Sequence, residues 1–98
     1  MKKLFMIEFD LPENLTEEFL ALIPKQRFMV NNLLAEGTLK SYSLSMDRSR
    51  LWAVLAADDE FEAKEVIEQL PLSDYMFPTV SELMFHNASD MVLQFSLN

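Results

Sequence analysis

Two segments of this sequence are apolar on both of the faces that a β-strand presents. In residues 4–9 and 51–57 every side chain except Glu8 is apolar, and successive side chains of a strand point to opposite faces of its sheet. A sheet built on two such strands has no polar face to turn toward solvent. We therefore expect both of its faces to be covered.

The rest of the chain predicts the elements that surround these strands. An amphipathic pattern from Thr16 predicts a helix that ends at Gly37, and Pro24 inside it predicts a kink or a split. Further strands are predicted over 38–46 and 80–86, and a second helix over 59–70 begins with the capping-box pair Asp59 and Glu62. The order βαββαβ is that of an α+β ferredoxin-like split βαβ domain. Residues 91–97 alternate as an extra C-terminal strand would.

Length and charge exclude several classes of protein. With 98 residues we expect one domain over 1–98, with a core over 3–87 and a tail over 88–98. A net charge of −8 disfavours nucleic-acid and anionic-membrane partners. With no cysteine and one histidine, no metal site and no cofactor are expected. No apolar run is long enough for a membrane span or a signal peptide, so a cytoplasmic protein is expected.

The apolar sheet also predicts how the chain assembles. Two helices cover only one face of a four-stranded sheet, so a second copy of the chain is expected to cover the other, as a homodimer or a larger assembly. For the tail from Met91 to Leu97 two alternatives stay open. It either pairs with the sheet edge of a partner subunit, as an exchanged strand, or folds back on its own sheet.

Several short motifs carry a family resemblance. Glu36-Gly37-Thr38, Gln69-Leu70-Pro71-Leu72, Tyr75-Met76 and the later Val80, Leu83 and His86 resemble the muconolactone isomerase family, in register from Met6 to about Ser89. The resemblance implies a dimeric α+β barrel, often assembled into a ring, with a pocket between the first helix and the sheet. It also implies a proton shift within an unsaturated lactone. Residues 23–28 and 40–44 depart from the family's charged pattern, and only Lys40 keeps its charge type.

Two residues are candidates for catalytic proton transfer. His86 matches the family pattern, and histidine is the residue type best suited to proton transfer, although a histidine at a strand end is also typical of a surface position. Tyr42 lies on the second predicted strand, where it either orients a ligand or is a core tyrosine whose hydroxyl reaches water.

Four polar residues are candidates for ligand binding. Gln26 falls near the centre of the apolar stripe of the first helix, so its amide is expected to be hydrogen-bonded or to face a cavity. Arg27 and Lys40 are the cations best placed to clamp a carboxylate. Glu8 either points inward, with a pKa raised by burial, or faces solvent. Arg48, in the hairpin turn, is expected to be solvated.

The sequence is compatible with three functions. The first is a homo-oligomer that binds a small carboxylated or aromatic metabolite between the first helix and the sheet. The second is an active isomerase that shifts a proton in a small unsaturated lactone. The third is a non-catalytic structural or sensing oligomer.

Overall fold

A computed structural model describes residues 2–89 of the chain. Its elements, in chain order, are β1 (Lys3–Asp10), α1 (Glu17–Glu36), β2 (Leu39–Leu44), β3 (Arg50–Ala57), α2 (Glu60–Glu68), a 3₁₀ turn (Ser73–Tyr75) and β4 (Phe77–Glu82). The predicted tail strand over 91–97 lies outside the described residues. No helix in the described part of the chain is both long and apolar enough to cross a membrane.

The four strands form one antiparallel sheet in the order β2-β3-β1-β4. The predicted βαββαβ order and the ferredoxin-like α+β fold are therefore confirmed. β1 lies in the interior of the sheet and pairs along its full length with β3. The strands β2 and β4 are the two edges.

Both helices pack on the same face of the sheet. Alternate residues of β1, namely Phe5, Ile7 and Phe9, are at most 1% exposed and share one core cluster with Val30 of α1 and Ile67 of α2. This face is therefore closed by the chain itself.

The opposite face, which we call the open face, carries the remaining apolar side chains of β1 and β3. Leu4 and Met6 lie directly opposite Ala56 and Val54, while Glu8 lies opposite Trp52. Leu4 and Met6 are half-buried, and Trp52 is 37% exposed. No helix within residues 2–89 covers this face.

Side-chain caps begin both helices and Gly37 ends α1, and the caps at Asp59 and Gly37 are those that the sequence predicts. The Thr16 hydroxyl accepts a hydrogen bond from the Phe19 amide (3.2 Å), and the Asp59 carboxylate accepts one from the Glu62 amide (2.8 Å). Gly37 ends α1 with φ at +82°, the left-handed conformation that glycine adopts at little cost.

The predicted split of the first helix is wrong, because α1 runs through Pro24 without interruption. Proline removes the amide that would bond to the carbonyl four residues earlier, here that of Leu20. The side chains of Leu20 and Pro24 are both exposed. Gln26 consequently stays in register with the buried stripe.

The fourth strand begins and ends earlier than the predicted 80–86. Phe77 pairs with Asp10 and Pro78 with Phe9 in β4, whereas the prediction begins the strand after the proline. Proline is tolerated in an edge strand because an amide on the unpaired side of that strand makes no hydrogen bond within the sheet, so its absence removes none. The shift leaves His86 beyond the end of the strand.

Candidate functional site

Gln26 is the one buried polar side chain in the described core, at 3% exposure. Its Oε1 accepts a hydrogen bond from the Leu72 amide (3.0 Å), and its Nε2 donates to the Tyr42 hydroxyl (3.1 Å). The side chain therefore connects α1 to β2 and to the segment after α2. Of the two expectations for this amide, a hydrogen-bonded position or one facing a cavity, the structure shows the hydrogen bonds.

These two bonds determine which way the amide group of Gln26 faces. An amide nitrogen at Leu72 can only donate, so the carbonyl oxygen of Gln26 must face it and the NH₂ group must face Tyr42. Tyr42 Oη then acts as an acceptor toward Gln26, and its own proton remains available for a further acceptor. Burial raises the pKa of Tyr42 above 10.0, against the smaller lowering by the Gln26 bond, so the hydroxyl is protonated at neutral pH.

A cavity of about 360 Å³ opens beside this pair, between α1 and the end of the sheet where β2 turns into β3. We call it the α1 cavity. Most of its lining is apolar and includes Phe19, Leu20, Ile23, Leu44, Leu51 and Met76. Its polar lining consists of Gln26, Tyr42, Arg27 and Arg48. An apolar pocket with a few converging polar groups is typical of a small-molecule site.

The polar side chains of the α1 cavity that remain free for a ligand are donors. The Gln26 carbonyl is already engaged by the Leu72 amide, which leaves the Tyr42 hydroxyl and the guanidinium groups of Arg27 and Arg48 to face a ligand. Within the described residues the lining contains no aspartate, glutamate or histidine. The arrangement can receive an acceptor-rich or anionic ligand, and it offers no carboxylate or imidazole as a general base.

Arg48 lines the cavity but is not among the predicted site residues. Its side chain is exposed, as expected of an arginine in a turn. It has φ at +63° in the hairpin between β2 and β3. Next to it, Asp47 accepts bonds from the Ser49 hydroxyl (2.7 Å), the Ser49 amide (3.0 Å) and the Ser45 hydroxyl (2.8 Å). These bonds, those of Ser49 first, lower the pKa of Asp47 to about 2.

The other three predicted site residues lie away from the α1 cavity. Glu8 is on the open face, where its carboxylate accepts from Trp52 Nε1 (2.9 Å) and Arg50 Nη1 (3.2 Å). Lys40 sits at a bulge near the far end of β2 and lines a separate groove with Lys2 and Glu62. His86 follows β4 and is exposed. The structure therefore brings together Gln26, Arg27 and Tyr42 of the six predicted residues.

Fold and cavity together define a ferredoxin-like α+β domain with a donor-lined apolar pocket under its first helix. The family model described as muconolactone delta-isomerase matches residues 3–89. The chain therefore belongs to the muconolactone delta-isomerase family, as its motifs indicate.

Similarity to solved structures supports the same fold. A crystal structure of muconolactone isomerase, determined at 3.3 Å resolution, superposes with a TM-score of 0.70. The match covers 88% of this chain and 93% of that one, at 22% sequence identity. At this identity the similarity establishes the fold alone. A comparison with curated proteins gives no significant match.

Proposed function

We propose that this protein binds a small carboxylated or aromatic metabolite in the α1 cavity. The observation that carries the proposal is the cavity itself, a mostly apolar space of about 360 Å³ whose free polar side chains, those of Tyr42, Arg27 and Arg48, are donors. That volume is near the lower end of the roughly 300–1,000 Å³ usual for ligand pockets. It suits a ligand with one small ring or a short chain.

The ligand's polar end is expected to be a carboxylate or a carbonyl. Tyr42 has a free hydroxyl proton, because Gln26 donates to its oxygen. Arg27 and Arg48 add positive charge at the same cavity, and hydrogen bonds from arginine to a carboxylate are among the stronger ones in proteins. A cationic ligand would meet these donors without any carboxylate among the described lining residues to compensate.

Binding without an isomerase reaction is the function that the lining favours. A proton shift needs a group that accepts the proton, and burial keeps Tyr42 protonated at neutral pH. Tyr42 can donate to an oxyanion but does not serve as the base. An active lactone isomerase is the second candidate, since family membership favours it.

Titration calorimetry with benzoate, cinnamate and muconolactone tests the proposal. We expect at least one of these to bind, and Tyr42→Phe to weaken that binding by about fivefold to tenfold through loss of one hydrogen bond. Lys64→Gln, on the exposed side of α2, is the control and should leave it unchanged. Absence of binding by all three probes would refute the proposal.

The same samples test the enzymatic alternative. Muconolactone is incubated with the protein and its ring protons are followed by NMR. We expect no isomerisation beyond the rate in buffer. Turnover that is lost in Tyr42→Phe would instead establish the isomerase candidate.

We also propose that the protein works as a homodimer or larger assembly of itself, joined through the open face. The support is the apolar side chains that β1 and β3 present there, with Met6 directly opposite Val54. A second sheet packed on this face would remove the exposed part of Trp52 from water.

Light scattering at micromolar concentration tests the assembly. The unaltered chain should have at least twice the mass of one chain, and Met6→Lys should reduce it to one, since a buried lysine would have no partner. Ala21→Lys, on the exposed side of α1, is the matched control. A monomeric unaltered chain would refute this part of the proposal.

A further inference from the structure

Arg48 adopts a backbone conformation that its residue type does not favour. Among residues 2–89 it is the one non-glycine residue with a positive φ, at +63°. In this region the Cβ atom of an L-residue crowds its own backbone, and glycine or asparagine usually occupies such turn positions. Arginine at this position therefore lowers the stability of the fold relative to glycine.

Hydrogen bonds on both sides hold this conformation. The Arg48 amide donates to the Ser45 carbonyl (3.0 Å), and the Ser45 amide donates to the Arg50 carbonyl (2.9 Å). The Asp47 carboxylate accepts three further bonds from Ser45 and Ser49. The Leu11 amide donates to the Ser49 carbonyl (3.0 Å) and so ties the hairpin to the end of β1. The position of the Arg48 Cα–Cβ bond is thus set by the turn.

The charge of Arg48 is also left free by the rest of the described chain. Arg50, two residues on, pairs with Glu8 (3.2 Å) and Asp10 (3.8 Å) on the open face. Arg48 has no carboxylate within ion-pair distance among residues 2–89, and it lines the α1 cavity. The hairpin therefore carries one arginine that is neutralised and one that is available to a ligand.

We propose that Arg48 is the specificity-determining residue of the α1 cavity and that it selects ligands carrying a carboxylate over neutral ligands of the same shape. The inference rests on the proposed function and deepens it, since it names the charged group of the ligand and the side chain that binds that group. Arg27 also lines the cavity, but from the regular backbone of α1, which accommodates arginine without strain. A strained backbone position beside a cavity points to a functional side chain, so we assign the discrimination to Arg48.

The test compares cinnamate with its neutral amide, cinnamamide, by titration calorimetry. In the unaltered protein we expect cinnamate to bind more tightly than cinnamamide. Arg48→Gly should weaken cinnamate binding by about tenfold or more and leave cinnamamide within about twofold. Arg48→Asn should give the same loss. Asparagine tolerates the positive φ without making the turn as flexible as glycine does, so this variant separates the effect of the lost charge from the effect of a more flexible turn.

Two comparison variants sharpen the result. Arg27→Gln removes a cation from the same cavity and should cause a smaller loss of cinnamate binding than Arg48→Gly. Lys64→Gln removes the same charge from α2 and should leave binding of both ligands unchanged.

Four outcomes would overturn the inference. If the unaltered protein binds neither ligand, the proposed function fails together with it. If cinnamate binds equally to the unaltered protein and both Arg48 variants, or if Arg27→Gln has the larger effect, the inference alone fails. If both Arg48 variants lose cinnamate and cinnamamide equally, Arg48 acts as a structural residue of the hairpin and selects no charge.

Discussion

Replacement of Gln26 by leucine tests the hydrogen bonds that support the α1 cavity. Leucine has a similar size but neither accepts from the Leu72 amide nor donates to Tyr42. Leaving the buried Leu72 amide without a partner costs about 1–3 kcal/mol, and losing the bond to Tyr42 costs about 0.5–1.5 kcal/mol. The greater apolar burial of leucine offsets about 1 kcal/mol. We expect the free energy of unfolding to fall by about 2 kcal/mol.

Urea unfolding followed by the fluorescence of Trp52, the single tryptophan, measures this change. All variants are compared at one protein concentration, because self-association would contribute to the apparent stability. Gln69→Leu is the matched control. Since Gln69 is exposed at the end of α2, its replacement should change the free energy of unfolding by less than about 0.5 kcal/mol.

A double-mutant cycle isolates the bond between the two side chains. If Gln26 donates to Tyr42, the losses in Gln26→Leu and Tyr42→Phe should be non-additive by about 0.5–1.5 kcal/mol. Additive losses would show that the two side chains do not interact. A neutral or stabilising Gln26→Leu would refute the account of this amide as a bridge.

Three further predictions concern pH and helix capping. Hydrogen bonds lower the pKa of Asp47 from 3.8 to about 2, so the stability that its ionised form adds is fully present above pH 3.8 and is lost as pH falls toward 2. The difference in the free energy of unfolding between the unaltered chain and Asp47→Ala should therefore shrink over that range. A constant difference would contradict this prediction. Burial raises the pKa values of Tyr42 and Tyr75. The midpoint of the tyrosinate absorbance should therefore lie above pH 10.0, with stability lost as pH rises through it. A midpoint below that pH would contradict the burial of Tyr42. Thr16→Ala should lower the free energy of unfolding by about 1 kcal/mol in chemical denaturation, while Thr16→Ser should preserve it.

Features set by local rules were predictable from the sequence. The caps Thr16, Asp59 and Gly37 follow from the preference of each residue type for a helix end, and the two-faced strands follow from alternation. The starting point of β4 was not predictable in the same way. Whether a strand tolerates Pro78 depends on its place at the edge of the sheet, and that place is a property of the whole fold.

In the candidate site, too, some features follow from local rules and others depend on the whole fold. Gln26 stands out because a polar side chain on a buried stripe demands a partner, but the sequence does not tell which partner it finds. Arg48 escapes prediction because its direction depends on the φ angle of one turn residue. Lys40 and Glu8 have the right chemistry for a ligand, yet the bulge in β2 and the alternation of β1 place them elsewhere.

The strand order β2-β3-β1-β4 has a consequence for how the chain is made. β1 leaves the ribosome first, yet its partners are residues 50–57 and 77–82. Both edges of this apolar strand stay unpaired until β3 is made, and one edge stays unpaired until β4 follows. Nascent chains that stall between β1 and residue 77 should thus be the aggregation-prone species, and slow translation of this stretch would expose them longest.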